Sequence, residues 1–543
     1  MSDPAALPAD PPRRLAGFRL VSLWTLVSRI VGFARDSAMA AAFGLGEILD
    51  AFTLAFRIPN LARSLFGEGA LATAFLPAFI AERDQRGAEA AQRLTTAVCV
   101  RLLVILSALV AAAELILAAA RWLRPAPPAA YADRLLTLLA IMLPYLVLIC
   151  LAALLSAVLQ AQRRFGWPAA LPALLNLWWL AATGLAAWWT TDGEQRIRWI
   201  AASLVIGGGL QLAAPALVLR RLGWGIDPRW RESRREANAV FRAMLPTVLA
   251  TTVAQFNTVL DTLLAWWLAA PRESGGEPWI ESGTAAALYF AQRLYQFPLG
   301  LIGVAVATVL YPVLSARAGR NDHDGLRDDL THGLRVALSL AIPASAGLVL
   351  LAGPINRFLF LHGRFDADDA LLTSRITAIY GSVVWAAVAL LLVQRGFFAV
   401  GDRQTPLKTG LASVLVNVAL TAVGVWLGRG VGLAMATAGS LVFHLGLSLH
   451  VMRRHRVGLA WGPFGSSLAR TLGATAAMSA ACLLLRQVPG VEESRTWGLV
   501  LPLAGGLATF AGTAWLVGLH EPWELLRGRR AVAVRVDGDP SGK

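Results

Sequence analysis

Nine ionisable residues stand inside stretches that are otherwise apolar: Arg29, Arg35, Asp36, Asp50, Arg57, Arg63, Glu68, Asp261 and Arg293. A charge at the centre of a membrane-crossing helix costs about 2.5–3.5 kcal/mol on insertion scales, so such residues face a partner or a polar cavity. The choice of arginine narrows the chemistry. Its rigid fork of donors grips phosphate oxygens two at a time and stays charged when buried, whereas a buried lysine can lose its proton. An arginine-lined cavity between apolar walls suits an anionic head group carried on a lipid chain. A cation exporter would call for the opposite sign.

Spacing leaves two readings open. Arg29 and Asp36 are seven residues apart, as are Asp50 and Arg57, so each pair lies near one face of a helix. Asp36, Arg57 and Glu68 fit ion pairs that close a bundle or anchors that snorkel to the interface, and with Asp50 they also fit a cavity or gating role. Arg29, Arg63 and Arg293 outnumber the acids near them and fit a cavity better. Asp261, Asn417, Thr421 and Thr437 could offer oxygen ligands to an ion such as Na⁺, or simply bond neighbouring helices. Motifs for covalent chemistry are missing: the chain has no HExxH, no phosphate-cradling GxxxxGK[ST] and no GxSxG. We therefore expect no enzyme, no metal and no cofactor, with coupling to Na⁺ or to the membrane potential as the open question.

The elements that must hold these residues are long and apolar. Hydrophobic residues make up 56% of the 543, charged residues only 15%, and mean hydropathy is +0.58, far from the roughly 25% charge of soluble domains. Windows long enough to cross a bilayer fall near 18–43, 48–80, 94–120, 135–161, 167–189, 199–220, 240–270, 284–316, 334–361, 373–400, 406–428, 431–452, 466–486 and 497–519, about fourteen spans of an all-α integral membrane protein. No small-residue cleavage site follows the first of them, so it is expected to remain a span. The net charge of +15 resides mainly in short gaps between the windows, which argues for membrane orientation rather than nucleic acid. Arginines of alternate gaps, including Arg163, Arg164, Arg220, Arg221, Arg453 and Arg454, mark one side as cytoplasmic and place both termini there. Cys99, Cys150 and Cys482 lie within apolar runs and are expected to be free thiols.

The chain also echoes itself. Thr73 and Pro77 recur as Thr308 and Pro312 at an offset of 235, and Ala161 and Pro168 recur as Ala399 and Pro406 at an offset of 238. Two pairs at nearly one offset indicate two parallel copies of a six-span unit. The expected division is a first lobe over 1–235, a second over 236–460, two appended spans over 461–520 and a basic cytoplasmic tail over 521–543. Repeat-built transporters bind substrate near mid-membrane where the copies meet. Pro59, Gly67, Gly69 and Pro77 in the second span, and Pro298, Gly300 and Gly303 in the eighth, are placed to bend or break those helices.

Particular stretches carry a family resemblance. Ser28 to Asp36 (SRIVGFARD), Phe43-Gly44, Asp50 to Phe52, Phe56 to Asn60 (FRIPN), Phe66 to Gly69 and Ala74 to Pro77 resemble the MurJ/MviN lipid II flippases of the MOP exporter superfamily. So do Arg164-Phe165 with Pro168 and Asn176, Arg293-Leu294 with Pro298, and Arg395 to Ala399 with Asp402, Thr405 and Pro406. The resemblance implies two pseudo-symmetric six-helix lobes around a cavity and two C-terminal helices forming a lipid groove. It implies transport of lipid II, the polyprenyl-diphosphate-linked peptidoglycan precursor, across the bacterial inner membrane by alternating access, with cell-wall synthesis enzymes as plausible partners. It places Arg29, Arg35, Arg63 and Arg293 on the diphosphate and head group, and Asp50 at a sensitive position. Two departures stand out: Gln292 occurs where an acid often precedes the arginine, and Thr421 where some relatives carry an acid of the ion site. The competing expectations are a related exporter of another polyprenyl-linked glycan or a small solute, and, from another class, an integral membrane glycosyltransferase.

Overall fold

A computed structural model of the chain describes residues 11–64, 71–123, 130–271, 277–454 and 458–527. Helices account for nearly all of them, and no strand occurs among the described residues. Hydrocarbon supplies no hydrogen bonds to backbone amides, so only elements that satisfy their own backbone can cross it. Nine helices among the described residues are long and apolar enough to do so, or ten if the bent pair Ala367–Ser382 and Val384–Ala399 counts as one span. Their outer faces are apolar: Leu115 is 71% and Trp188 84% exposed. Large apolar surface of this kind needs lipid against it. The protein is a multi-pass membrane protein.

The contacts divide the chain into two compact units, Met1–Trp266 with Ala270–Gly276, and Trp267–Ala269 with Glu277–Lys543. In the first unit run α1 (Pro11–Phe43), α2 (Glu47–Ala62), α3 (Leu71–Trp122), α4 (Ala130–Ala161), α5 (Gly166–Trp189), α6 (Gly193–Arg221) and α7 (Arg234–Leu268). Its main packings are α1 on α5, α4 on α6, and α4 against α2 and α3. By sequence offset α7 opens the second copy, yet its bonds tie it into the first unit. Tyr131 on α4 donates to the Trp266 carbonyl at 2.5 Å, and Arg86 on α3 reaches Glu236 at 3.2 Å. At one end of this unit Arg134 bridges Glu47 at 2.9 Å and Glu194, stapling α2, α4 and α6.

The second unit holds α8 (Thr284–Pro298), α9 (Ala305–Gly319), α10 (His323–Leu350), α11 (Ala352–Phe360), α12 (Ala367–Ser382), α13 (Val384–Ala399), α14 (Gln404–Arg454), α15 (Trp461–Arg486), α16 (Trp497–Leu516) and α17 (Glu521–Arg527). Helix α10 is its axis, packed on α9, α12, α13 and α15, while α15 and α16 pair with each other. Helix α14 is two arms joined at Arg429, whose φ of 48° breaks the helix. The arms approach so closely that a Cβ on Gly432 would lie 1.8 Å from the Gly424 carbonyl oxygen. Only glycine fits there.

The repeat is visible in the backbone. Arg163 (φ 58°) and Gly401 (φ 80°) are both left-handed and differ by 238. Around them Arg164 N–H bonds the Leu159 carbonyl at 2.9 Å, and Asp402 N–H bonds the Phe397 carbonyl at 3.0 Å. Both are the six-to-one closure that ends a helix on a left-handed residue. The helix breaks repeat as well. Arg63–Ser64 adopt π-type winding, and adding 235 gives 298–299, where the π-helix Leu299–Val304 begins.

The last described helix is anchored rather than trailing. Glu521 is 5% exposed and accepts from Ser467 at 2.7 Å and from Arg335 Nη2 at 2.6 Å, while His332 meets Glu524 at 3.0 Å. Burial pushes the Glu521 carboxyl up, but the bonds from Ser467, its own backbone and Arg335 outweigh that and leave it below the ordinary glutamate value.

Two outcomes follow. Arg163→Gly relieves a left-handed arginine, a strain of about 1–2 kcal/mol, against a gain in unfolded-chain entropy of about 0.4–1 kcal/mol. Thermal unfolding in detergent should show a net stabilisation of about 0.5–1 kcal/mol. Because the folded Glu521 carboxyl binds its proton less readily than an unfolded one, its contribution is complete at neutral pH and drains as pH falls below the ordinary glutamate value of 4.5. Glu521→Ala should therefore lower stability at pH 7 by about 1–3 kcal/mol and flatten the acid limb of the stability profile.

Candidate functional site

Arg35 and Asp36 lie at the centre of the first unit, each 3% exposed. Arg35 donates to Asp36 Oδ1 from Nε at 3.0 Å and from Nη2 at 2.5 Å, and from Nη1 to Asn176 Oδ1 at 2.9 Å. The Asn176 amide in turn bonds the Ser28 carbonyl at 2.9 Å, two helical turns back along α1. The guanidinium also sits 4.1 Å from the Trp179 ring centre. Trp179, only 2% exposed, takes Phe52 and Phe56 of α2 against its edge, at centroid distances of 5.5 and 4.9 Å. Three helices are thus locked about one cation. A carboxylate, an amide and an aromatic face together replace the water that a buried guanidinium would lose.

This gives Arg35 a different setting from the other arginines. Arg29, Arg57 and Arg63 are half-buried, the state in which a guanidinium keeps access to a polar space. Arg63 lies at the π-type break after α2 and donates from Nε to Asn60 Oδ1 at 3.1 Å. Asp50 is fully buried in the first turn of α2. Glu68, with Gly67 and Gly69, lies outside the described residues.

In the second unit Arg293 is also half-buried, on α8, six residues before the π-helix Leu299–Val304. It donates from Nη2 to the Tyr289 hydroxyl at 2.9 Å, and its guanidinium lies 5.1 Å from that ring. A π-type turn widens the helix and is frequent at functional sites. Arg63 lies within such a turn, and Arg293 lies on the helix that leads into another.

The oxygen donors separate by unit. Asp261 lies on α7 in the first unit and is 4% exposed. Asn417 and Thr437 face each other across the two arms of α14, with the Asn417 amide 3.4 Å from Thr437 Oγ1 and from Ser440 Oγ. Asn417 Oδ1 and Thr421 Oγ1, one turn apart, are buried with no hydrogen-bond partner among the described residues. Two unsatisfied neutral oxygens suit a hard cation, although neither brings the charge that usually tightens such a site. His444 is half-buried and bonds Thr409 at 3.2 Å, an interhelical link.

Several contributors carried weak sequence signals. Tyr289 is four residues before Arg293, the spacing that puts both on one helix face. Asn176 appeared among the matched residues without a role, and Trp179 looked like one of many aromatics in an apolar span. Arg134, Glu47 and Glu194 are far apart in sequence, so their bridge had no local signature.

Known proteins share this architecture and more. The family model described as lipid II flippase MurJ matches residues 39–494. A probable lipid II flippase MurJ of Rhizobium tropici is 35% identical over 424 residues, covering 77% of each chain. One from Vibrio cholerae is 30% identical over 522 residues, covering 92% of this chain and 95% of its own. Lipid II flippase MurJ of Burkholderia cenocepacia is 33% identical over 445 residues, or 79% and 82%. Among solved structures, a lipid II flippase MurJ in an inward closed conformation superposes with a TM-score of 0.75 at 24% identity, over 94% of this chain and all of that one. An inward-facing multidrug resistance MATE transporter of the MOP superfamily follows the same fold at a TM-score of 0.64 and 12% identity, over 79% and 94%. By the match to the family model and to these relatives, the chain belongs to the lipid II flippase MurJ family.

Proposed function

We propose that this protein carries lipid II from the cytoplasmic to the periplasmic leaflet of a bacterial inner membrane, by alternating access and without covalent chemistry. The observation that carries the reading is the set of half-buried arginines, Arg29, Arg63 and Arg293, on membrane helices, with Arg63 itself in a π-type turn. Such arginines can release their local hydrogen bonds to a diphosphate at little desolvation cost, since a charge-assisted bidentate contact replaces them. Arg35 serves differently in this reading: held by Asp36, Asn176 and Trp179, it fixes the helix that presents Arg29. Asp50, Arg57 and Glu68 are the gating candidates. The arginine-rich gaps support cytoplasmic placement of both termini. Partnership with cell-wall synthesis enzymes belongs to the same proposal. Asn417 and Thr437 are the candidates within the second unit for holding a coupling Na⁺, and Asp261 is a separate candidate in the first.

The test is rescue of flippase-depleted bacteria, read as growth and as lipid II exposed at the outer leaflet. The parent should rescue. Membrane-inserted Arg29→Ala, Arg63→Ala and Arg293→Ala should each cut exposure by about tenfold or more, the scale of one charge-assisted hydrogen bond. Full rescue by all three variants discards this site, and failure of a properly inserted parent discards the substrate. Asp36→Asn should act through folding instead: with a buried guanidinium left uncompensated, thermal stability should drop by about 3–5 kcal/mol. Replacing Na⁺ with choline should slow transport by the parent and leave Asn417→Ala unresponsive. Equal rates in both salts remove the ion.

A further inference from the structure

A cavity with a charged rim lies wholly within the second unit, and none of these arginines lines it. It encloses about 280 Å³ between α11, the start of α12, and the link joining α15 to α16. Its charged lining is Arg357, Arg486, Arg495, Glu492 and Glu493. Pro354, Leu361 and Leu371 supply an apolar wall. At just under the roughly 300–1,000 Å³ of small-molecule pockets, it has room for a head group and not for a whole lipid.

The five charges are not equivalent. Arg486 is spent: it pairs with Glu492 at 2.9 Å and donates to the Leu350 carbonyl at 3.1 Å. Arg495 is oriented by one nitrogen only, with Nη2 donating to the Phe358 carbonyl at 2.9 Å and lying 3.2 Å from His362 Nδ1. Burial and the Arg495 guanidinium hold His362 below the ordinary imidazole value, so it remains a neutral acceptor there. The side chains of Arg357 and Glu493 have no ion-pair or hydrogen-bond partner among the described residues. What is left over is therefore two guanidinium groups and one carboxylate around a headgroup-sized space.

That combination has a chemical match. Two guanidinium forks bind a phosphate diester, and a carboxylate at the same site binds an ammonium. We infer that this cavity is a binding site for a phosphate-ester head group of a membrane phospholipid, with Arg357 and Arg495 on the phosphate and Glu493 on an ethanolamine-type amine. On the orientation proposed above these loops face outward, and the site then takes a lipid of the outer leaflet. Its position explains a use: the head group joins α11 and α12 to the link between α15 and α16 at an end where few protein bonds do so.

The test uses the full-length protein, delipidated in detergent and titrated with short-chain phosphatidylethanolamine or phosphatidylglycerol, with retained lipid read by native mass spectrometry. The parent should hold one phosphatidylethanolamine. Arg357→Ala and Arg495→Ala should weaken it about tenfold, while Arg220→Ala, in the first unit, should not. Arg357→Lys keeps the charge without the fork and should recover part of the affinity, which carries the test if the alanine variant unfolds. Glu493→Gln should weaken phosphatidylethanolamine and spare phosphatidylglycerol. Equal retention by the parent and the arginine variants overturns the site. Displacement of the lipid by glycerophosphate or inorganic phosphate at equal concentration overturns the lipid source, and an equal effect of Glu493→Gln on both lipids overturns the amine contact.

Discussion

A guanidinium inside a membrane bundle has to bring its own solvent, and the first unit is arranged around that requirement. Arg35 receives a carboxylate from the next residue, an amide oxygen from α5 and the face of Trp179. Each of these groups is held in turn: Asn176 by the α1 backbone, Trp179 by Phe52 and Phe56. The order that permits the charge to be buried is also what packs α1, α2 and α5 together. Removing one member leaves the others unsatisfied in a low-dielectric setting, which is why such clusters act as a unit.

Arg29, Arg63 and Arg293 differ from that buried charge in being half-buried. Arg63 donates to the Asn60 amide oxygen and Arg293 to the Tyr289 hydroxyl, contacts that a charge-assisted bond to phosphate can replace. The π-type breaks add local freedom where α-helical hydrogen bonding is already interrupted. A transport protein needs both kinds of arginine: one kind to hold a helix in place, another to hold a cargo for a time and let it go.

Duplication explains why the same devices appear twice. The helix-ending turns at Arg163 and Gly401 share their hydrogen bonds although their side chains differ completely, because the turn is specified by one left-handed residue and the closure around it. The copies have diverged where each has its own task. In the second unit, α14 folds on itself at a contact that admits only glycine, and α17 is pinned on α10 and α15 by Glu521 and Glu524. Charge placed in the last described helix thus acts as a clasp, although the region is basic overall.

Apolar length, the arginine-rich gaps and the repeated Thr, Pro and Ala positions were sufficient for a many-span helical membrane protein built from two copies. Those features depend on local periodicity and on the cost of backbone and charge in lipid, which every segment expresses on its own. The π-type segment of the eighth span was legible for the same reason, through Pro298, Gly300 and Gly303. What remained hidden depends on distance in three dimensions. Spacing along α1 paired Asp36 with Arg29, whereas folding put Asp36 under Arg35 and brought Asn176 and Trp179 from 141 and more residues away. The same holds for Arg134 between Glu47 and Glu194, for Glu521 beneath Arg335, and for the cavity at Arg357 and Arg495. A one-dimensional pattern states which residues are costly to bury, but only the packed helices decide which partners relieve that cost.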